Sequence, residues 1–136
     1  MQNPVPAISG KSSTGLDENI AALLTYVVGW VSGLVFFLIE KDSKLVRFHA
    51  MQSILFSVLV GVVCFVGWIV TLVFVVVAAQ LADVMGTLVG LIATLIWVVI
   101  GAALLIALIM CLVRAYQGKF FKLPVIGDLA EKIVNK

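Results

Sequence analysis

Charged side chains are scarce in this sequence: they make up 12% of its 136 residues, whereas hydrophobic residues make up 63%. Three long runs, over residues 20–39, 50–80 and 84–113, contain no charged residue. A soluble domain usually carries about 25% charged residues, so the composition excludes an ordinary water-soluble fold. Each run reaches the roughly 20 apolar residues that a membrane-spanning helix needs.

The runs also lack the alternation of apolar and polar residues that a transmembrane β-barrel shows. Backbone groups in lipid need internal hydrogen bonds, so continuous apolar runs must form helices. The sequence therefore predicts an all-α integral membrane bundle. It has a flexible tail over 1–13, three transmembrane helices within 14–118, and an amphipathic cytoplasmic-surface tail over 119–136 with a short interfacial helix. The overlong second run places its first turns in the headgroup zone.

Basic residues are missing from the connection between the second and third runs, which carries only Asp83. All nine Lys and Arg residues lie in the other segments that flank the runs. Lys11 precedes the first run, three lie in the first connection (Lys41, Lys44 and Arg47), and five follow the third run (Arg114, Lys119, Lys122, Lys132 and Lys136). Basic residues favour the cytoplasmic face. Three crossings of a cell membrane then predict an N-terminus outside and a C-terminus in the cytoplasm.

Several signatures of chemistry are absent. No ionisable group lies deep in a run, which argues against a pump or a coupled transporter. The sequence has no HExxH, GxSxG or P-loop motif. Cys64 and Cys111 show no CxxC spacing, so they are interpreted as packing residues. We therefore predict no enzyme activity, cofactor or metal, and no nucleic-acid partner, because membrane orientation already explains the basic residues.

Small residues recur at helical spacing in the first and third runs and form a predicted packing stripe. Its members are Tyr26, Gly29 and Gly33 in the first run and Gly86, Gly90 and Gly101 in the third. Small residues let helices approach closely in lipid. The stripe predicts tight contact between the first and third helices, with the second completing the bundle; self-association is the alternative. Gly61 and Gly67 are further close-approach candidates in the second run.

The most polar part of the chain surrounds the first connection. The predicted rim cluster consists of Glu40, Arg47, His49, Gln52 and Ser53. A short connection is expected to bring Glu40 within reach of Arg47 or His49. The structural interpretation is that these groups cap helix ends and anchor the headgroup interface. The functional interpretation is a proton-sensitive gate, a lipid-headgroup site or a partner contact, with His49 tested first because imidazole titrates near neutrality.

Some of these residues resemble a known family. The resemblance lies in Thr14-Gly15-Leu16, Asn19, Tyr26, Gly29, Gly33, Glu40 and, most specifically, the run Arg47-Phe48-His49-Ala50-Met51-Gln52. Over residues 14–125 the chain is similar to a small prokaryotic membrane family grouped with the magnetosome protein MamF and, more distantly, with the Tic twenty-kilodalton subunit of chloroplast import. The resemblance implies three or four membrane helices and no known catalysis. The chain lacks an acidic iron-binding loop, so a role in mineral growth is not carried over.

The sequence thus predicts a non-enzymatic scaffold or subunit of a larger membrane assembly. Its expected partners are the lipid bilayer and either further copies of the chain or other membrane proteins. The alternative prediction is transport, as an oligomeric channel or a protein-translocation component gated at the cytoplasmic rim.

Overall fold

The computed structural model describes residues 10–80 and 83–136, and within these ranges it contains five helices and no strand. The predicted all-α class is confirmed. The helices are α1 (Glu18–Leu24), α2 (Trp30–Ile39), α3 (Lys44–Ala78), α4 (Asp83–Tyr116) and α5 (Ile126–Val134).

Two of these helices, α3 and α4, are long and apolar enough to cross a membrane. They contain 35 and 34 residues, which corresponds to a length of about 50 Å each at the α-helical rise. The hydrocarbon core is only about 30 Å thick. Each helix is therefore longer than one crossing requires, as the length of the second run predicts for α3.

The chain divides into two compact units, to which α3 and α4 both contribute. We call the described residues of Met1–Val58, together with Leu108–Lys136, the polar unit, and Leu59–Ala107 the apolar unit. In the apolar unit the Trp97 ring occupies the place where a Cβ on Gly67 would stand. The Trp97 indole N–H also donates to the Thr71 hydroxyl at 2.9 Å. Gly67 is therefore a close-approach point between α3 and α4, as its position in the second run suggests.

The first apolar run does not form one helix. It contains α1 and α2, separated by a turn over residues 25–29, and these helices have only 7 and 10 residues. Gly29 in the turn has φ 60° and ψ −127°, a conformation that glycine adopts far more readily than other residues. Neither helix reaches the length of a crossing. The prediction of a continuous first membrane helix is wrong, and three crossings are not confirmed.

The two short helices form a hairpin whose ends return to the same place. The Ser13 backbone N–H donates to both oxygens of the Glu40 carboxylate at 3.0 Å. The Asn19 side-chain amide donates to the Tyr116 carbonyl at the end of α4, at 3.2 Å. The segment before α1 thus lies beside the α2–α3 connection, and the first turn of α1 lies beside the end of α4. This differs from the predicted arrangement, which puts the segments before the first run and after the third run on opposite faces.

The end of α4 is set by Gly118, which has φ 67°. The Gly118 N–H donates to the Ala115 carbonyl and the Lys119 N–H to the Arg114 carbonyl, at 2.9 and 3.0 Å. This is the left-handed glycine cap that closes many helices. The predicted short C-terminal helix follows as α5, in which Ala130 is buried.

Candidate functional site

The hairpin turn is held by two serine hydroxyls. The Ser53 hydroxyl on α3 donates to the carbonyls of Thr25 and Gly29, at 2.7 and 3.0 Å. The Ser32 hydroxyl on α2 lies 2.8 and 3.2 Å from the same two carbonyl oxygens. An interrupted helix leaves backbone groups without partners, and in an apolar environment each such group is costly. The two serines remove that cost, which explains why the chain can turn inside an apolar run.

Directly beside the turn, a chain of hydrogen bonds links Tyr26, His49 and Gln52, which we call the buried triad. His49 Nε2 lies 3.0 Å from the Lys119 carbonyl oxygen. A carbonyl can only accept, so Nε2 carries the hydrogen and Nδ1 accepts from the Tyr26 hydroxyl at 3.1 Å. The Tyr26 oxygen in turn accepts from the Gln52 amide at 3.2 Å. This tautomer satisfies both nitrogens of a neutral imidazole.

The buried triad is sealed from solvent. His49 and Gln52 are 0% exposed and Tyr26 is 6% exposed. The Gln52 amide nitrogen also lies 3.4 Å from the Cys111 sulfur on α4. The triad therefore ties the hairpin to α3, to α4 and to the segment after α4, using neutral groups only. Gln52 Oε1 is buried and has no partner among the described residues.

A second polar centre surrounds the carboxylate of Glu40, which is 1% exposed. Besides the Ser13 N–H, it accepts from the Ser13 hydroxyl at 2.7 Å and from the backbone N–H groups of Asp42 and Ser43 at 3.1 and 2.9 Å. Burial works to raise the pKa of the Glu40 carboxyl. The hydrogen bonds from Ser43, Ser13 and Asp42 outweigh burial, and the pKa lies below its ordinary value of 4.5. The ionised Glu40 carboxylate thus holds the loop before α1 through Ser13, and we call this arrangement the Glu40 clamp.

The expected pairing of Glu40 with Arg47 or His49 is wrong. Within residues 10–80 and 83–136, the carboxylate makes no ion pair, and its partners come from the loop before α1 and from the α2–α3 connection. The Arg47 guanidinium instead lies over the Phe37 ring, 5.2 Å from its centroid. The hairpin brings Ser13 to Glu40, and His49 on the following helix turns toward Tyr26. The members of the predicted rim cluster are therefore dispersed. Glu40 forms its own centre, His49 and Gln52 belong to the buried triad, and Ser53 holds the hairpin turn.

The glycines of the predicted packing stripe do not share one role. A Cβ on Gly33 would lie 2.8 Å from the Ala50 carbonyl oxygen, so α2 packs closely on α3 at this point. A Cβ on Gly29 would lie 3.1 Å from the Ser57 hydroxyl, also on α3. The predicted contact of these glycines with the third run is therefore wrong, because the hairpin folds onto the second. In α4, a Cβ on Gly86 would be 3.4 Å from the Ala78 carbonyl oxygen.

Several residues of the hairpin turn and of the two centres were missed by sequence reasoning. Ser13, Thr25, Ser32 and the Lys119 carbonyl all take part, and none is in the predicted rim cluster. The signal for Thr25 and Ser32 was present, since both flank Gly29 inside an otherwise apolar run. Polar residues on each side of a glycine indicate a helix break that can satisfy its own backbone groups.

The part of the chain that the structure describes has few side chains that could bind a metal ion. They contain no group of three or more His, Cys, Asp or Glu side chains placed to hold one. The two cysteines are free thiols: Cys111 is buried beside Gln52, and Cys64 is exposed on α3. The chemistry that the two centres support is hydrogen bonding and, at Glu40, the placement of one negative charge.

The helices and the buried polar centres define an all-helical protein with two helices suited to a membrane. The sequence profile of the magnetosome magnetite crystal formation protein family, MamF/MmsF, matches residues 16–130. The chain therefore belongs to the MamF/MmsF family. The resemblance to the chloroplast import subunit stays a prediction.

Relatives in two archaea are named as membrane proteins. A UPF0132 membrane protein of Methanocaldococcus jannaschii is 39% identical over 125 residues, which cover 90% of this chain and 94% of the relative. A second one from the same organism is 32% identical, over 87% of this chain and 71% of the relative. One from Archaeoglobus fulgidus is 34% identical, over 88% and 98%. No solved structure matches the chain. The chain is thus similar to membrane proteins over most of its length.

Proposed function

We propose that this protein is a non-enzymatic component of the cell membrane that acts as a scaffold or subunit of a larger membrane assembly. The observation that carries the proposal is the open space at two glycines of α4, on either side of Trp97, whose ring packs on α3. A Cβ added at Gly90 or at Gly101 would meet no atom within 4 Å. Eleven residues correspond to about three helical turns, so the two glycines lie on one face. Helices associate in lipid through such small residues.

A cleft beside this face gives the proposal further support. It has a volume of about 440 Å³ and is lined in part by Ala78, Gly86, Gly90 and Ala93 of the apolar unit. Small side chains leave this space, and the described part of the chain does not fill it. A helix of another subunit can insert larger side chains here, which is how small-residue faces pack in membranes.

We further propose that the chain crosses the membrane twice, through α3 and α4, and that the hairpin enters and leaves on the cytoplasmic face. All nine Lys and Arg residues then lie on that face, since none occurs in the α3–α4 connection. Three crossings would leave Lys11 on the opposite face. The two-crossing arrangement satisfies the positive-inside rule more fully, and the Ser13–Glu40 hydrogen bonds agree with it.

The assembly role can be tested by capture from native membranes. The tagged chain is purified in mild detergent, and the proteins that accompany it, including further copies, are quantified by mass spectrometry. In the test variant, Gly90→Ile and Gly101→Ile are combined. The control is Ala103→Ile, which enlarges an exposed residue on the opposite side of α4. We expect the double variant to lose its partner and the control to keep it.

Two outcomes would contradict the proposal. The first is recovery of the wild-type chain as a monomer with no reproducible partner. The second is equal loss of the partner in the double variant and in Ala103→Ile, since that result would assign the effect to helix bulk in general. Helix content is measured for each variant, so that a misfolded protein is recognised before the capture result is interpreted.

A further inference from the structure

A groove of about 170 Å³ lies between the first turns of α3 and the C-terminal helix α5, within the polar unit. Its lining residues are Lys44, Phe48, Phe120, Glu131, Val134 and Asn135. The Phe48 and Phe120 rings meet edge to face, with centroids 5.4 Å apart. The groove therefore combines the exposed ring of Phe120, supported by the buried Phe48, with the charged residues Lys44 and Glu131 and with Asn135.

The charges in the groove do not balance. Glu131 accepts from the Lys122 ammonium at 2.6 Å, so its charge is already compensated. Lys44 has no acidic group within ion-pair distance among the described residues, where both ion pairs belong to Lys122. One positive charge is left without a counterion. The complementary ligand is an anion, and the exposed Phe120 ring favours an anion that carries an apolar portion.

We propose that this groove binds the headgroup region of an anionic phospholipid. The Lys44 ammonium and the Asn135 amide donate to phosphate oxygens, and the first carbons of the acyl chains lie against the exposed Phe120 ring. Free phosphate would satisfy Lys44 but would leave the Phe120 ring, which is 59% exposed, in contact with water. A phospholipid satisfies both halves of the groove.

The neighbouring surface of α5 favours a lipid as the occupant. Leu129 and Ile133 are 46% and 38% exposed and stand one helical turn apart, so α5 presents an apolar strip beside the groove. Short helices with an apolar strip and basic residues lie in the headgroup zone of membranes. α5 also carries Lys132 in its last turn. A lipid in the groove would join α5 to α3 at the membrane surface.

The inference goes beyond the assembly role and requires only that the protein resides in a membrane. The full-length protein is purified in mild detergent and titrated with phosphatidylglycerol, and bound lipid is counted by native mass spectrometry. For Lys44→Gln we expect about fivefold weaker lipid binding, the effect of one basic residue near an anionic surface. Lys44→Arg keeps the charge and should bind nearly as the wild type does.

The matched control is Lys41→Gln. Lys41 is exposed, lies three residues earlier in the α2–α3 connection and does not line the groove, so its replacement removes the same charge close to the start of α3. Equal binding by the Lys44→Gln and Lys41→Gln variants would overturn the proposal. In a competition arm, millimolar inorganic phosphate should leave the bound lipid in place. Displacement of the lipid by phosphate would overturn phospholipid as the ligand. Capture of partner proteins reports separately on the assembly role.

Discussion

At the scale of single residues, the Tyr26 hydroxyl has two partners that depend on it. It donates to His49 Nδ1 and accepts from the Gln52 amide. Both partners are fully buried, so neither can turn to water if the hydroxyl is lost. A buried polar group left without a partner costs more than the net gain of making the bond. The stability of the buried triad therefore depends on one oxygen atom.

We predict that Tyr26→Phe destabilises the protein by about 1–3 kcal/mol, because it leaves the imidazole acceptor and one N–H of the Gln52 amide unpaired. The measurement is thermal unfolding in mild detergent, followed by loss of helix signal. Tyr116→Phe is the matched control, since the Tyr116 side chain is 61% exposed. An unchanged midpoint for Tyr26→Phe would show that the hydroxyl bridge contributes nothing to stability.

At the scale of helices, the hairpin depends on a close approach between α2 and α3. The nearest atoms to a Cβ on Gly33 are the Ala50 carbonyl oxygen, at 2.8 Å, and Ile54 Cγ1, at 3.0 Å. The isoleucine can change rotamer, but the carbonyl belongs to the α3 backbone and cannot move without displacing the helix. A single methyl group at this position therefore separates the two helices.

We predict that Gly33→Ala lowers stability by about 1–3 kcal/mol, the usual cost of overpacking. Gly61→Ala is the control on α3, because a Cβ there would meet no atom within 4 Å. Thermal unfolding of both variants should show a lower midpoint for Gly33→Ala alone. If both variants unfold at the wild-type temperature, α2 does not pack on α3 as closely as described.

The sequence was sufficient to predict the helical class, the excess length of α3 and the close approach at Gly67. Each of these follows from neighbouring residues or from the length of a run. The break at Gly29 was missed because residues 20–39 have the length and composition of a crossing. What permits the break is the Ser53 hydroxyl, 28 residues beyond Thr25. The partner of Glu40 was missed for the same reason, since Ser13 is 27 residues away.

At the scale of the whole molecule, the distribution of polar groups follows the two units. The buried triad, the Glu40 clamp and all nine basic residues belong to the polar unit. The apolar unit exposes mainly aliphatic and aromatic side chains, such as Val66, Trp68 and Leu91, which are 52%, 61% and 63% exposed. Polar atoms are thus concentrated in the polar unit, and the section suited to lipid contains the middle of α3 and of α4.

This distribution leads to a prediction about topology that separates two crossings from three. Single cysteines are introduced at Thr14, Gln80 and Asn135, which are all exposed, in a background of Cys64→Ala and Cys111→Ser. A membrane-impermeant maleimide is applied to intact cells and to inverted vesicles. With two crossings and a cytoplasmic hairpin, positions 14 and 135 react only in inverted vesicles, and position 80 reacts only in intact cells.

The decisive position is 14, because both arrangements put position 80 outside and position 135 inside. If the first run spans the membrane, a cysteine at 14 reacts from outside together with one at 80. That result would also require the Ser13–Glu40 hydrogen bonds to be absent in the membrane, since both groups cannot then lie at one end of the hairpin. The variants Glu40→Gln and Ser13→Ala provide a second test, in which the rate of maleimide labelling at position 14 is measured. If the clamp holds the loop at the cytoplasmic face, both substitutions should speed the reaction at position 14 in inverted vesicles and leave position 135 unchanged.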